Sequence, residues 1–270
     1  MTRLVQPMGR SSQGGFSMVE ALVAIFIMML VMGAIFSQII EGQRYSTTEQ
    51  VRTDLFQEAR EFVDQLSRDL RSSGYPNTHN YDHNPNSASS PSNEYLSDVE
   101  AVGLVRLDPS NLWFEASIDG TGEVYVIRYH LDNTSAGCDG ELPCLVRSQT
   151  DKVTGDPVTQ GESPQTQLQN VKNGTSADPI FMAFDAAGNA VHSIDIGCDG
   201  LSATSVTGYT CDPSNIRIAN INSVAVKLTV QSPYNDQTGK KPTATLFSTI
   251  RLTNCSLAYT AAGNSVMGCN

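Results

Sequence analysis

The sequence predicts an α+β protein, one long N-terminal α-helix packed on an antiparallel β-sheet domain. Three observations carry this. A charge-free apolar run, Ala21–Ile40, passes into an amphipathic stripe of helical period ending near Gly74. Beyond residue 110 the apolar pattern switches to an alternating one, with strand candidates at 112–118, 123–129, 224–230 and 246–252 separated by Gly- and Pro-containing turns. Helix first and strands afterwards, rather than the two alternating, is the α+β order.

The first element begins with a short basic leader, Met1 to Gly15, that carries Arg3 and Arg10 and no acid. It ends in Gly14-Gly15, followed by Phe16-Ser17-Met18-Val19-Glu20 and then the apolar run. About 20 apolar residues span a bilayer as a helix about 30 Å long. Glu20 stands at the start of that run, where an ionisable group costs about 2.5–3.5 kcal/mol and is functional by default. A secretory signal peptide has a shorter apolar region with its cleavage site behind it. The two leader arginines orient the segment with its N-terminus in the cytoplasm and everything after Ile40 outside. Ala21, Ala24, Gly33 and Ala34 allow close helix approach, and are equally ordinary membrane-helix composition.

The same helix continues. Val51, Leu55, Ala59, Phe62, Leu66 and Leu70 fall on one face, widened by Phe56 and Val63. Glu49, Arg52, Glu58, Arg60, Glu61, Asp64 and Arg68 fall on the other, with Asp64 and Arg68 in the favourable acid-before-base order. Gly74 and Pro76 end it. Continuous from Phe16 to Ser73, such a helix is roughly 87 Å long at about 1.5 Å per residue.

Residues 77–98 are Asn-, Ser- and Pro-rich and read as a long surface loop. Leu112, Phe114, Ala116 and Ile118 then alternate with Trp113, Glu115 and Ser117. Asp119-Gly120-Thr121-Gly122 turns the chain and Glu123–Tyr129 returns as a hairpin. Cys144–Ser148 is a short third strand. Residues 149–178, with Gly155, Pro157, Gly161, Pro164 and Gly174, read as loop. Ile180–Phe184 is a strand before the turn at Asp185–Asn189. Val224–Val230 and Leu246–Leu252 form an antiparallel pair across the Pro233–Pro242 loop.

All six cysteines, Cys138, Cys144, Cys198, Cys211, Cys255 and Cys269, lie in the part assigned to the outside. An even count in an oxidising compartment reads as disulfides. Six cysteines permit fifteen pairings; sequential local pairs, 138–144, 198–211 and 255–269, are favoured because each brackets a turn-rich segment. No Cys-x-x-Cys occurs, His79 and His83 sit in a non-helical segment, and Asp195 and Asp199 lack EF-hand spacing, so no metal and no cofactor are expected. The net charge of −11, −13 once the leader is removed, argues against a nucleic-acid surface. No Gly-x-Ser-x-Gly, His-Glu-x-x-His or P-loop occurs. His130 and His192 are isolated, and no enzyme is expected.

The junction Gly15-Phe16, Glu20 and the run Ala21–Ile40 resemble the class III signal of type IV prepilins. The resemblance implies that a prepilin peptidase cuts after Gly15, that Phe16 becomes an N-methylated N-terminus, and that Glu20 pairs with a terminal amine during assembly. Phe16 and Glu20 are four residues apart and so lie one helical turn from each other on one face. Major pilins often carry a proline within this helix; here there is none between Phe16 and Ser73.

Further along, Leu66–Tyr75, Tyr125–Leu131 with Cys144–Arg147, Val171 with Pro179–Gly188, and Ile221–Val230 with Leu246–Asn254 resemble, in their order, the PilW family of minor pilins. That resemblance implies a type IV pilin-like fold in four parts: a cleaved leader (1–15), a transmembrane or filament-core helix (16–40), an amphipathic helix (41–75) and an exported β domain (76–270). It implies a subunit that primes pilus assembly or joins the tip complex. Its partners would be other minor and major pilins, the prepilin peptidase, the inner-membrane assembly machinery and sometimes a tip adhesin. Its location would be the inner membrane with a periplasmic domain, then the extracellular pilus. The alternatives are a GspJ-like pseudopilin of a type II secretion system, and a binding or catalytic protein that borrows a pilin-like anchor.

Overall fold

The computed structural model describes residues 15–75, 101, 103–135, 137–154, 160–195, 221–236, 239–252, 258–259 and 265–266. Residues 77–98 and Cys198, Cys211, Cys255 and Cys269 lie outside these. The chain divides into two compact units, residues 1–49 and 50–270.

In the first unit, helix α1 begins at Met18; it continues without a break to Arg71, 54 residues in all. Its apolar side chains, Leu22 through Ile40, are exposed, and none of the most apolar stretch is buried. The helix is long and apolar enough to cross a membrane.

In the second unit the end of α1 packs on two antiparallel sheets. Ala59, Phe62, Val63, Leu66 and Leu70 are buried and Leu55 packs against them, the face expected from the spacing. Phe56 departs from that expectation and is 42% exposed. The helix ends as its chain turns onto the sheet. Gly74, at φ 82°, donates its N–H to Glu115 O, and Ser117 N donates to Tyr75 O.

The first sheet contains β1 (Leu104–Asp108), β2 (Asn111–Ala116), β3 (Tyr125–Asp132), β4 (Cys144–Asp151), β5 (Pro164–Leu168) and, past β1, β8 (Ile194–Asp195), in the order β5-β4-β3-β2-β1-β8. The second contains β6 (Phe181–Asp185), β7 (Ala190–Val191), β9 (Ile221–Gln231) and β10 (Thr243–Arg251), in the order β10-β9-β6-β7. A two-stranded sheet, β11 (Ala258–Tyr259) with β12 (Ser265–Val266), follows. Side chains of α1 and of both main sheets share one core, with Tyr129, Phe114 and Phe181 the largest fully buried.

The β2–β3 hairpin forms where expected. Gly120 and Gly122 take positive φ, and the Asp119 carboxylate accepts hydrogen bonds from Thr121 N at 3.0 Å and Thr121 Oγ1 at 2.7 Å. The β9–β10 pair also forms, with Leu228 opposite Leu246. Residues 149–178 require a correction. β4 runs on to Asp151 and β5 forms at 164–168. β5 reads Pro-Gln-Thr-Gln-Leu and is an edge strand, so it carries no apolar alternation, and Pro164 sits at its first residue where no inward N–H is needed.

β2 is also more buried than alternation implies. Trp113, Glu115 and Ser117, which alternate with Leu112, Phe114 and Ala116, are all buried, Glu115 completely. The Arg128 guanidinium lies 4.3 Å from the Trp113 ring centroid and covers it. Lys152 covers Glu115, its Nζ 2.7 Å from Glu115 Oε2.

Candidate assembly segment

Gly15, Phe16 and Ser17 precede the first helical residue, Met18. Ser17 starts the helix. Its carbonyl accepts from Ala21 N at 3.1 Å, and its Oγ accepts from Val19 N at 3.4 Å. Ser17-Met18-Val19-Glu20 has the Ser-x-x-Glu spacing of a capping box, and Glu20 lies in the first turn. The unpaired N–H groups there favour a carboxylate by about 0.3–1 kcal/mol. Glu20 is thus at the one part of an apolar helix where an acid also suits the backbone. Phe16 is 82% exposed and Gly15 is exposed with open space around its Cα, so the Gly15–Phe16 bond is reachable by a peptidase.

Two buried charge clusters lie within the second unit, and neither is apparent from the sequence pattern. The Asp69 carboxylate, in the last turn of α1, accepts from Tyr129 Oη at 2.6 Å and Arg147 Nε at 2.9 Å. Phe62 meets the same Tyr129 ring edge-on, with centroids 5.6 Å apart. Burial, then Asp69, pushes the Tyr129 phenol well above its ordinary pKa. Burial alone would lower Arg147, but Tyr129 and Asp69 outweigh it and raise it. One signal does exist: Asp69 lies three residues after Leu66, on the apolar stripe, where an acid needs a partner. The second cluster is Glu115 with Lys152, whose side chains are wholly buried.

On the face of the first sheet that carries Trp113 and Glu115, opposite Tyr129 and Arg147, Arg128 contacts Glu162 and donates to Asn111 Oδ1 at 3.2 Å. Burial, then Arg106, lowers Arg128 to about 10. His130 Nδ1 lies 3.6 Å from Glu162, and burial, then Arg128, lowers the imidazole to about 4, so it is neutral at physiological pH. His192 is exposed.

Cys138 and Cys144 are joined by a disulfide with Cα atoms 5.8 Å apart. The other four cysteines lie outside the described residues. Among the described residues no three His, Cys, Asp or Glu side chains converge on a metal position.

Residues 10–36 match the family described as the prokaryotic N-terminal methylation motif. The match covers Gly15, Phe16, Glu20 and the first part of the apolar helix. With the α+β architecture, it supports a type IV pilin-type or pseudopilin protein, anchored by its apolar helix, processed by prepilin peptidase and assembled with pilus-type machinery. No curated protein matches the chain.

Proposed function

We propose that this protein is a minor pilin of the PilW type. It enters type IV pili through its N-terminal helix and primes their assembly or forms part of the tip complex with other minor and major pilins. One observation supports this most: a capped helix bearing Gly15-Phe16 and Glu20, with every large apolar side chain of its first half exposed, leads into a folded α+β unit. Such a helix requires lipid or other helices around it. The unit has its own hydrophobic core among the described residues, and we take it to be carried by the helix. Among the described residues we assign none to catalysis, and we take the domain to be non-enzymatic, exported to the periplasm and then displayed on the pilus.

After cleavage, the Phe16 amine lies four residues before Glu20, just ahead of the helix start at Met18, and is the natural cation for it, in the same chain or a neighbour. Sheared pili from the native host should contain a chain that begins at N-methyl-Phe16. Glu20→Ala should leave cleavage and membrane insertion intact while lowering incorporation into filaments. Deletion should abolish piliation and twitching with secretion unaffected. A secretion defect with normal pili would move the protein to a type II system. Full-length Met1 protein in filaments would refute the reading altogether.

A further inference from the structure

Three of the outer strands in the two main sheets are guarded. β7 and β8 are two residues each, and β5 begins at Pro164 and pairs with β4 through a register shift at Leu145/Val146. β10 differs. It is nine residues long and pairs with β9 in unbroken register from Thr243 to Arg251. It contains no proline, lysine, acid or bulge, the usual devices that blunt an edge.

The direction of its outward groups can be read from the register. Ser232 N donates to Pro242 O at 2.8 Å and Leu252 N to Asn222 O at 2.9 Å. Both pairs extend the β9–β10 register, so the even-numbered residues of β10 bond to β9. The N–H and C=O groups of Thr243, Thr245, Phe247 and Thr249 therefore face the open edge, where no described strand lies. At the middle of this edge Phe247 is 60% exposed.

The charge around β10 selects what can dock there. From Lys240 to Leu252 there is no acid, in a chain with 28 acids and 17 Lys and Arg. Exposed Lys240 and Lys241 stand before one end and exposed Arg251 closes the other. A second copy pairing antiparallel about Phe247 brings no acid to the Lys240–Lys241 end, since its own segment from Lys240 to Leu252 has none. A strand that carries an acid there meets attraction.

We propose that β10 is a strand acceptor: it adds an extended segment with an apolar centre and an acidic flank facing Lys240 and Lys241, from the exported domain of a different pilin-type subunit, extending the sheet and covering Phe247. This rests on the co-assembly reading above. It is tested in the native host with the full-length chain carrying a photoreactive benzoyl-phenylalanine in place of Phe247. Sheared filaments and membranes are irradiated and the adducts sequenced by mass spectrometry. The expected adduct joins residue 247 to an acid-flanked segment of another chain that begins with a methylated N-terminus.

Thr249→Pro removes one outward N–H and leaves the β9 bonds in place, so it should lower adduct yield about tenfold with wild-type levels of folded protein. Lys240→Glu with Lys241→Glu should also lower it, by charge alone, which serves if the proline variant does not accumulate. An adduct only to a second copy, an adduct to a protein that is not pilin-type, a yield unaffected by both variants, or filament-incorporated protein with no adduct each overturns the strand proposal. Absence of the wild-type chain from filaments overturns the functional reading and the strand proposal with it.

Discussion

Asp69→Ala tests the attachment of the helix to the sheet. The wild-type carboxylate is nearly removed from water, with side-chain exposures of 12% for Asp69 and 13% for Arg147. It accepts two close hydrogen bonds, from Tyr129 Oη and Arg147 Nε. Alanine removes both and leaves a guanidinium and a phenol facing an apolar gap. Breaking a buried pair from one side costs about 3–5 kcal/mol. Arg147 keeps Tyr129 Oη at 3.1 Å and Gln149 Oε1 at 2.9 Å, which places the expected loss near the lower figure. At about 2–4 °C per kcal/mol for a unit of this size, the thermal midpoint should drop by about 6–12 °C. The measurement is urea and thermal unfolding of the full chain in detergent, followed by near-UV circular dichroism. The triple change Asp69→Leu, Tyr129→Phe, Arg147→Met removes the charges together and should recover most of the loss, because a matched apolar replacement of a buried pair is neutral or stabilising. A loss below about 1 kcal/mol for Asp69→Ala would refute the reasoning, since the carboxylate would then be hydrated and not a buried partner.

Three further outcomes are expected. The His130 imidazole titrates near 4 when folded and near 6.5 when unfolded, so its contribution is complete above about pH 6.5 and is lost as the pH falls toward 4; His130→Gln should flatten the stability profile across that window. Leu66→Ala, at a fully buried position of the stripe, should cost about 2–5 kcal/mol, whereas Phe56→Ala should change stability less because Phe56 is only partly covered; equal effects would contradict the assigned face. Peptide mapping after alkylation should recover Cys138–Cys144 and, as we propose for the remaining four, Cys198–Cys211 and Cys255–Cys269. Cys138→Ser with Cys144→Ser should cost no more than about 2 kcal/mol, because the loop it closes is short.

The elements legible in the sequence are those whose apolar residues recur at a fixed period. The stripe from Leu55 to Leu70, the β2–β3 hairpin with its two turn glycines, and the β9–β10 pair each place apolar residues at such a period, and that period is a sequence signal. β5 gives no such signal because both its faces carry polar side chains. Trp113 and Glu115 are hidden for the opposite reason: the face of β2 turned away from Leu112, Phe114 and Ala116 is covered too, by Arg128 over Trp113 and Lys152 over Glu115, and a covering cation looks like any surface cation in a sequence. The N-terminal segment is legible because the chemistry of Gly15, Phe16 and Glu20 is local. Asp69, Tyr129 and Arg147 come from three elements as far as 78 residues apart, and no local pattern announces their meeting.

The placement of Asp69 in the final helical turn has a mechanical consequence. A pull along α1 reaches the second unit as shear between the helix and the first sheet. Apolar side chains from Ala59 to Leu70 can slide past one another by small steps, since the dispersion attraction given up at one position is regained at the next. An ion pair with two directional hydrogen bonds has no such neighbouring position; a displacement of one helical residue, about 1.5 Å, breaks both bonds at once. Asp69 with Arg147 therefore acts as a stop: below its threshold the end of the helix and the sheet move together under tension, and above it they part abruptly and do not creep.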